Sequence, residues 1–177
     1  MRQRLPYALV AACVVVLDQV TKYLIDHFME VHETRPVIYG LLHLTYVRNR
    51  GGAFGFLSHA DLPGQAWIFA TVSVVALAAI GAYSLRIPAT QRLPQSGLAL
   101  IMGGAVGNLL NRAAHGYVID FVDAFWGPHH WPAFNLADSC ISIGVGLLIL
   151  DSFRAAEPAA AGAANSGAAQ APAGRSE

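Results

Sequence analysis

Four long apolar segments constrain this chain more than any other feature of its sequence. They cover approximately residues 7–28, 65–85, 95–114 and 136–153. A helix that crosses a bilayer needs about 20 mostly apolar residues, and within lipid its backbone must satisfy its own hydrogen bonds. The sequence therefore predicts a membrane protein of the all-α class, built as a bundle of four transmembrane helices.

The composition supports a membrane protein and excludes several other classes. Only 12% of the residues are charged, whereas soluble domains carry about a quarter. The formal net charge is zero, which provides no bulk attraction to nucleic acid, so we expect no nucleic-acid partner. Cys13 and Cys140 both lie in apolar segments, far from any metal-ligand spacing. We therefore expect neither a metal nor another cofactor.

The positions of arginine predict how the chain is threaded through the membrane. Five basic residues flank the apolar segments on one predicted side: Arg2, Arg4, Arg86, Arg92 and Arg154. Because cytoplasmic loops are enriched in Lys and Arg, we expect both termini in the cytoplasm of a bacterial cell, with the chain in the inner membrane. The outer loops are then residues 29–64 and 115–135, although Arg35, Arg48 and Arg50 weaken the contrast.

The chain divides into one membrane domain and a tail. Residues 1–154 contain all four apolar segments, and residues 155–177 are rich in Ala, Gly and Pro with no aromatic residue. Such a composition is typical of disorder, so we expect a disordered cytoplasmic tail. Within the first outer loop, residues 37–47 favour short β-strands, and residues 48–55 contain a glycine-rich turn. We therefore expect a small β element on the outer surface.

Costly polar side chains gather at one predicted depth, near the outer face. They come from the first, third and fourth segments and are Asp18, Gln19, Lys22, Asn108, Asn111, Arg112, Asn135, Asp138, Ser139 and Ser142. An acid within a membrane segment is a functional hypothesis by default. Asp138 opens the fourth segment, and Asp120 precedes it in the second outer loop. We expect these two carboxylates to share a proton around one water molecule, as paired acids do in aspartic proteases.

Several of these residues also have plainer interpretations. Asp18 and Lys22 are i,i+4 neighbours and could form only an intrahelical ion pair. Arg112 could extend towards outer headgroups, and Asn108 could simply join two helices. Asp123 is interpreted as a solvated loop acid. Gly103 and Gly107 form a pair of small residues that permits close helix approach.

Five stretches of this sequence resemble the signal peptidase II family of bacterial lipoprotein signal peptidases. They are residues 17–22 (LDQVTK), 49–54 (NRGGAF), 103–112 (GGAVGNLLNR), 118–121 (VIDF) and 134–139 (FNLADS). The resemblance covers roughly residues 14–153. It departs from the family at two positions, where Asn111 replaces the usual Asp and Gly52 replaces the usual Ala.

The resemblance implies a membrane aspartic endopeptidase with a periplasmic β-cradle. Such an enzyme cuts the signal peptide from diacylglyceryl-modified prolipoproteins immediately before the lipidated cysteine. Asp120 and Asp138 match its catalytic pair. The predicted substrate-binding residues are Asp18, Lys22, Asn49, Gly51, Asn108, Arg112 and Asn135. We expect prolipoproteins and membrane lipids as partners, an active site at the outer face, and a monomer.

Two other functional classes remain possible from the residues alone. A small ion-coupled transporter could use the buried acids as a relay, but it would need polar residues through the full membrane depth or inverted repeats. A non-catalytic lipid-binding protein would share the fold and tolerate Asn at either aspartate. The sequence contains neither His-Glu-x-x-His nor Gly-x-Ser-x-Gly, which excludes the common metalloprotease and serine-hydrolase motifs.

Overall fold

The computed structural model describes residues 2–52, 57, 62 and 64–168, with side chains described as far as Arg154. A short 3-10 helix, Arg2–Arg4, leads into the first long helix. The elements in chain order are α1 (Leu5–Phe28), β1 (Thr34–Ile38), β2 (Leu42–Asn49), α2 (Gln65–Arg86), α3 (Arg92–His115), β3 (Val118–Trp126), β4 (His129–His130) and α4 (Leu136–Ala168).

The four predicted membrane helices are confirmed. Each is long and apolar enough to cross a bilayer, over the spans Arg2–Phe28, Gln65–Arg86, Arg92–His115 and Leu136–Arg154. The sheet pairs the chain segments that join α1 to α2 and α3 to α4, so all four strands lie at one end of the bundle. The predicted fold class, four membrane helices with a small β element, is therefore correct.

Helix α3 is the centre of the bundle and packs against α1, α2 and α4. Its glycines allow this close packing: a Cβ on Gly103 would lie 2.7 Å from the carbonyl oxygen of Ala11 on α1. A Cβ on Gly104 would lie 2.5 Å from the carbonyl oxygen of Ala137 on α4, and one on Gly107 would collide with the carboxylate of Asp18. The predicted close approach at Gly103 and Gly107 is confirmed, and it brings polar side chains of three helices into contact.

The sheet is larger than the sequence suggested. Its strands are antiparallel in the order β1-β2-β3-β4, and Val47 on β2 faces Asp120 on β3. The prediction placed strands only in the first outer loop and treated Asp120 as a loop residue, which is incorrect. Residues 118–126 are mainly β-branched and aromatic, a composition that favours a strand once a partner is available. Residues 53–55 of the predicted glycine-rich turn lie outside the described residues.

Helix α4 continues to Ala168, beyond the predicted end of the membrane domain at residue 154. This differs from the disordered tail expected from residue 155. Residues 155–168 are rich in alanine, the residue with the highest intrinsic helix propensity. The remainder of the expected tail, residues 169–177, lies outside the described residues.

Candidate active site

Asp120 is held on β3 between two amide donors and is only 2% exposed. Asn49, the last residue of β2, donates a hydrogen bond of 2.9 Å to its Oδ2, and Asn135 donates one of 2.7 Å to its Oδ1. Burial, and then the nearby charge of Asp138, raises the pKa of Asp120 to about 7. At neutral pH this carboxyl group can therefore hold a proton or release it.

Asp138 lies in the first turn of α4, where it forms a reciprocal cap with Asn135. The backbone amide of Asn135 donates to Oδ2 of Asp138 at 3.2 Å, and the backbone amide of Asp138 donates to Oδ1 of Asn135 at 3.0 Å. This arrangement satisfies amide groups that a helix start leaves unpaired. The sequence pattern Asn135-x-x-Asp138 is the signal that could have predicted it. The cap fixes the position of the Asp138 carboxylate relative to the helix.

Both aspartates line one cavity of about 790 Å³. Asn135 contacts both carboxylates, through its side-chain amide for Asp120 and its backbone amide for Asp138. From the aspartates the cavity continues along apolar side chains of α2, α3 and α4, including Ile80 and Ile101. The site thus combines a polar end, which has two carboxyl groups, with an apolar end within the helix bundle.

Asn108 connects Asp138 to a buried cation. Its Nδ2 donates to Oδ1 of Asp138 at 2.9 Å, and its Oδ1 accepts a hydrogen bond of 2.6 Å from Nζ of Lys22. Because an ammonium group can only donate, the carbonyl end of the Asn108 amide must face Lys22. The amine end is then directed at Asp138, so Asn108 acts as a donor to this carboxylate.

Asp18 and Lys22 lie behind the cavity and form a buried ion pair of 2.8 Å, with exposures of 0% and 1%. Neither is among the described residues that line the cavity. Oδ1 of Asp18 accepts a hydrogen bond of 3.1 Å from the backbone amide of Ala137, which immediately precedes Asp138. The structure therefore places these two predicted substrate-binding residues where they support Asn108 and the start of α4.

Arg112 lines the cavity and is anchored to the outer loop. One of its terminal nitrogens donates a hydrogen bond of 2.9 Å to the carbonyl oxygen of Gly51. Its Nε is buried and has no hydrogen-bond partner among the described residues. A buried donor without a partner costs about 1–3 kcal/mol, so this N–H can gain from an acceptor group on a bound molecule.

The predicted site residues therefore fall into two groups. Those that line the cavity are Asn49, Asn108, Arg112, Asp120 and Asp138, while Asp18, Lys22, Gly51 and Asn135 hold them in place. The prediction missed Phe69, Val72, Ser73, Ala76 and Ile80, which form the α2 wall of the cavity. Their spacing follows one helix face, but the sequence does not show which face of an apolar helix meets a cavity.

Asp123 is not the solvated loop acid that the sequence suggested. It lies on β3 with its side chain 16% exposed, and its carboxylate is 2.8 Å from Nδ1 of His130 and 3.3 Å from Nδ1 of His43. His43 and Asp123 are facing partners of β2 and β3, a long-range pairing that single-sequence patterns do not reveal. Among the described residues, no group of three or more His, Cys, Asp or Glu side chains is arranged to hold a metal ion.

The charges of the buried cluster favour a single proton on the aspartate pair. Asp18 and Lys22 compensate each other as an ion pair, which leaves the guanidinium of Arg112 beside the two aspartates. Among the described residues that line the cavity, one ionised aspartate balances the charge of Arg112, whereas two would exceed it by one negative charge in a poorly solvated site. One carboxylate and one carboxylic acid are the pair that can activate water and polarise a carbonyl group.

Comparisons with known proteins show which proteins this chain is similar to. The family model described as signal peptidase (SPase) II matches residues 10–154. A lipoprotein signal peptidase of Geobacter metallireducens is 47% identical over 148 residues, covering 84% of this chain and 90% of the relative. The Geobacter sulfurreducens enzyme of the same name is 50% identical over 139 residues, covering 78% and 86%. A solved structure of a bacterial membrane enzyme superposes with a TM-score of 0.76 at 34% identity, covering 84% and 88% of the two chains.

Proposed function

The chain belongs to the signal peptidase II family, which removes signal peptides from prolipoproteins, and we propose that it does so as an aspartic endopeptidase. Asp120 and Asp138 are its catalytic pair. The observation that carries this proposal is that two carboxyl groups, both contacted by Asn135, line the same cavity. The alternative of an ion-coupled transporter finds no support in the family match.

The two aspartates have different environments, which suggests different roles. Asp138 lies at the N-terminus of α4, where the helix dipole and a backbone amide favour the charged carboxylate. Asp120 is almost fully buried, and its pKa is raised to about 7. We assign the resting proton to Asp120. Asp138 then takes a proton from water, the resulting hydroxide oxygen attacks the scissile carbonyl carbon, and Asp120 donates its proton to the carbonyl oxygen.

Collapse of the tetrahedral intermediate breaks the peptide C–N bond. Asp138 gives the proton that it took from water to the leaving nitrogen, and Asp120 takes a proton back from a hydroxyl group of the intermediate. The products are a carboxylic acid and an amine, and the aspartate pair is again singly protonated. The Nε–H of Arg112, which has no hydrogen-bond partner among the described residues, is available to bind the substrate in this space. Preorganised donors of this kind typically contribute about 10²–10³ in rate when they act on the transition state.

The apolar part of the cavity indicates how the substrate is held. It extends between α2, α3 and α4, as far as Ile80 on α2. A diacylglyceryl-modified cysteine places acyl chains directly beside the scissile bond, and apolar surface next to the aspartates suits those chains. This arrangement supports entry of the substrate from the lipid, with its modified cysteine beside the aspartates.

We further propose that the enzyme is a monomer in the bacterial inner membrane, with both termini in the cytoplasm and the sheet outside. Arg4 supports this threading, because its guanidinium donates to the carbonyl oxygens of Ser84, Leu85 and Ile87. The N-terminus therefore lies at the same end of the bundle as the loop between α2 and α3. Asp120 and the sheet lie at the opposite end.

Cleavage of a matched pair of precursors tests the proposed function. The purified protein is incubated in lipid vesicles with one prolipoprotein, either carrying the diacylglyceryl group or lacking it, and the products are identified by mass. We expect cleavage before the modified cysteine and little turnover of the unmodified precursor. Equal turnover of the two precursors, or cleavage at another bond, would contradict the proposal.

A further inference from the structure

Phe69 on α2 lies against two parts of the site that the sequence did not connect with it. The guanidinium carbon of Arg112 is 5.6 Å from the centre of the Phe69 ring. The ring also occupies the space next to Gly52, where an added Cβ would lie only 2.8 Å from Cε1 of Phe69. Gly52, Phe69 and Arg112 all line the cavity that contains the aspartates.

We propose that Phe69 is a positioning residue for Arg112, and that Gly52 provides the space its ring requires. This inference rests on the proposed function, in which Arg112 binds the substrate. A cation is attracted to the negative face of an aromatic ring at distances up to about 6 Å, and more strongly where water is excluded. The hydrogen bond to Gly51 holds one end of the guanidinium, and the ring of Phe69 lies within cation–π distance of its central carbon.

The departure from the family motif at Gly52 then has a physical explanation. The usual alanine at this position would collide with the ring as it lies here, because contacts below 3.0 Å are essentially never seen for a real Cβ. Glycine permits such a close approach. The ring of Phe69 and the absence of a side chain at Gly52 therefore depend on each other. Substituting either residue alone should displace Arg112.

A simpler interpretation is that Phe69 is only an apolar part of the cavity wall. The two interpretations differ in what the ring must supply. If Phe69 is only part of the cavity wall, the volume of its side chain is what matters. If it supports the guanidinium, the negative electrostatic potential on the face of its ring matters as well. Replacing Phe69 by phenylalanines with one, two and three ring fluorines withdraws that charge stepwise with little change in volume, and the lipidated precursor assay measures the result as kcat/KM.

We expect kcat/KM to fall with each added fluorine, reaching a loss on the order of tenfold, which is the scale of a partly desolvated cation–π contact. In an Arg112→Ala background, kcat/KM should be the same for every member of the fluorine series, because the cation that interacts with the ring has been removed. A flat series in the otherwise wild-type enzyme would overturn the inference. So would an equal decline in both backgrounds, which would show that the ring acts on the substrate directly.

Gly52 offers an independent test with its own matched background. Gly52→Ala should lower kcat/KM by a similar factor, but it should have almost no effect in a Phe69→Leu enzyme. Leucine lacks atoms equivalent to Cε1 and Cζ, and the next contact, with Cδ1 at 3.5 Å, is an ordinary one. Equal effects of Gly52→Ala in both backgrounds would contradict the coupling. A wild-type enzyme that does not cleave the lipidated precursor would overturn the proposed function and this inference together.

Discussion

The side-chain amide of Asn49 donates a hydrogen bond of 2.9 Å to Oδ2 of Asp120. This bond favours the ionised carboxylate, and it opposes the burial that raises the pKa of Asp120 to about 7. The strength of the bond therefore helps to set the pH at which Asp120 loses its proton.

The first prediction concerns the pH dependence of cleavage. Because the proposed mechanism uses Asp120 in its protonated form, kcat/KM should decline as the pH rises through about 7. Asn49→Ala removes a donor that stabilises the ionised form, so it should move this decline to higher pH in addition to lowering the rate. Ser73→Ala is the control, since Ser73 lines the cavity but donates to the carbonyl oxygen of Phe69. A decline at the same pH in Asn49→Ala would contradict the assignment.

The second prediction concerns stability and follows from the same group. Its pKa in the folded protein lies above the ordinary value of 3.8, so between about pH 4 and 7 the folded state retains a proton that the unfolded state has lost. The free energy of unfolding should therefore fall as the pH rises through this window. Thermal unfolding in detergent should give a midpoint several degrees higher at pH 5 than at pH 8.

The Asp120→Asn variant should show a much smaller difference between these two midpoints, because its side chain does not titrate. Its stability at pH 8 should match or exceed that of the wild type, since no charge is buried at this position. An undiminished difference in the variant would show that another group causes the pH dependence.

The third prediction concerns the buried Asp18–Lys22 pair. Lys22→Met leaves the carboxylate of Asp18 buried without its cation, which should lower the free energy of unfolding by about 3–5 kcal/mol. The double variant Asp18→Asn/Lys22→Met should lose less than the sum of the two single variants. Arg35→Met is the matched control, because the Arg35–Glu33 pair lies at the surface, where solvent screens the two charges and the pair should contribute little to stability. Strict additivity would argue against a coupled pair.

The fourth prediction concerns Asn111, where the family usually has Asp. Its Oδ1 accepts a hydrogen bond of 3.2 Å from the backbone amide of Ile119, while its Nδ2 contact with Gln19 is long, at 3.4 Å. An aspartate retains the acceptor, so Asn111→Asp should cleave at nearly the wild-type rate. Asn111→Leu leaves the buried Ile119 amide without a partner and should lose about 1–3 kcal/mol of stability.

Cleavage per folded molecule distinguishes these outcomes for the two Asn111 variants. Because Ile119 directly precedes Asp120, the leucine variant should also show some loss of activity together with its lower folded yield. A large loss of specific activity in Asn111→Asp at unchanged yield would show that charge matters at this position. It would contradict the structural role that the hydrogen bond to Ile119 suggests.

The sequence was sufficient to predict the four membrane helices and to predict that Asp120 and Asp138 lie near each other. Apolar length alone defines a membrane helix, and the motifs around Asp120 and Asp138 place both acids at one end of the bundle. The sequence was insufficient for β3, because a strand at residues 118–126 depends on pairing with β2, about 75 residues earlier in the chain. It also did not show that Asp18 and Lys22 lie behind the cavity, which depends on how α1 is rotated against Gly103 and Gly107.

The central claim is that Asp120 and Asp138 are the catalytic pair, and amide substitution tests it most directly. Asp120→Asn and Asp138→Asn are purified, their folding is verified, and cleavage of a diacylglyceryl-modified prolipoprotein is measured beside Asp123→Asn, an acid on β3 that contacts His43 and His130. We predict that the cleavage rate falls by a factor of about 10²–10⁴ in Asp120→Asn and in Asp138→Asn, and that Asp123→Asn cleaves at nearly the wild-type rate. Wild-type cleavage by a folded Asp120→Asn or Asp138→Asn enzyme would contradict the claim.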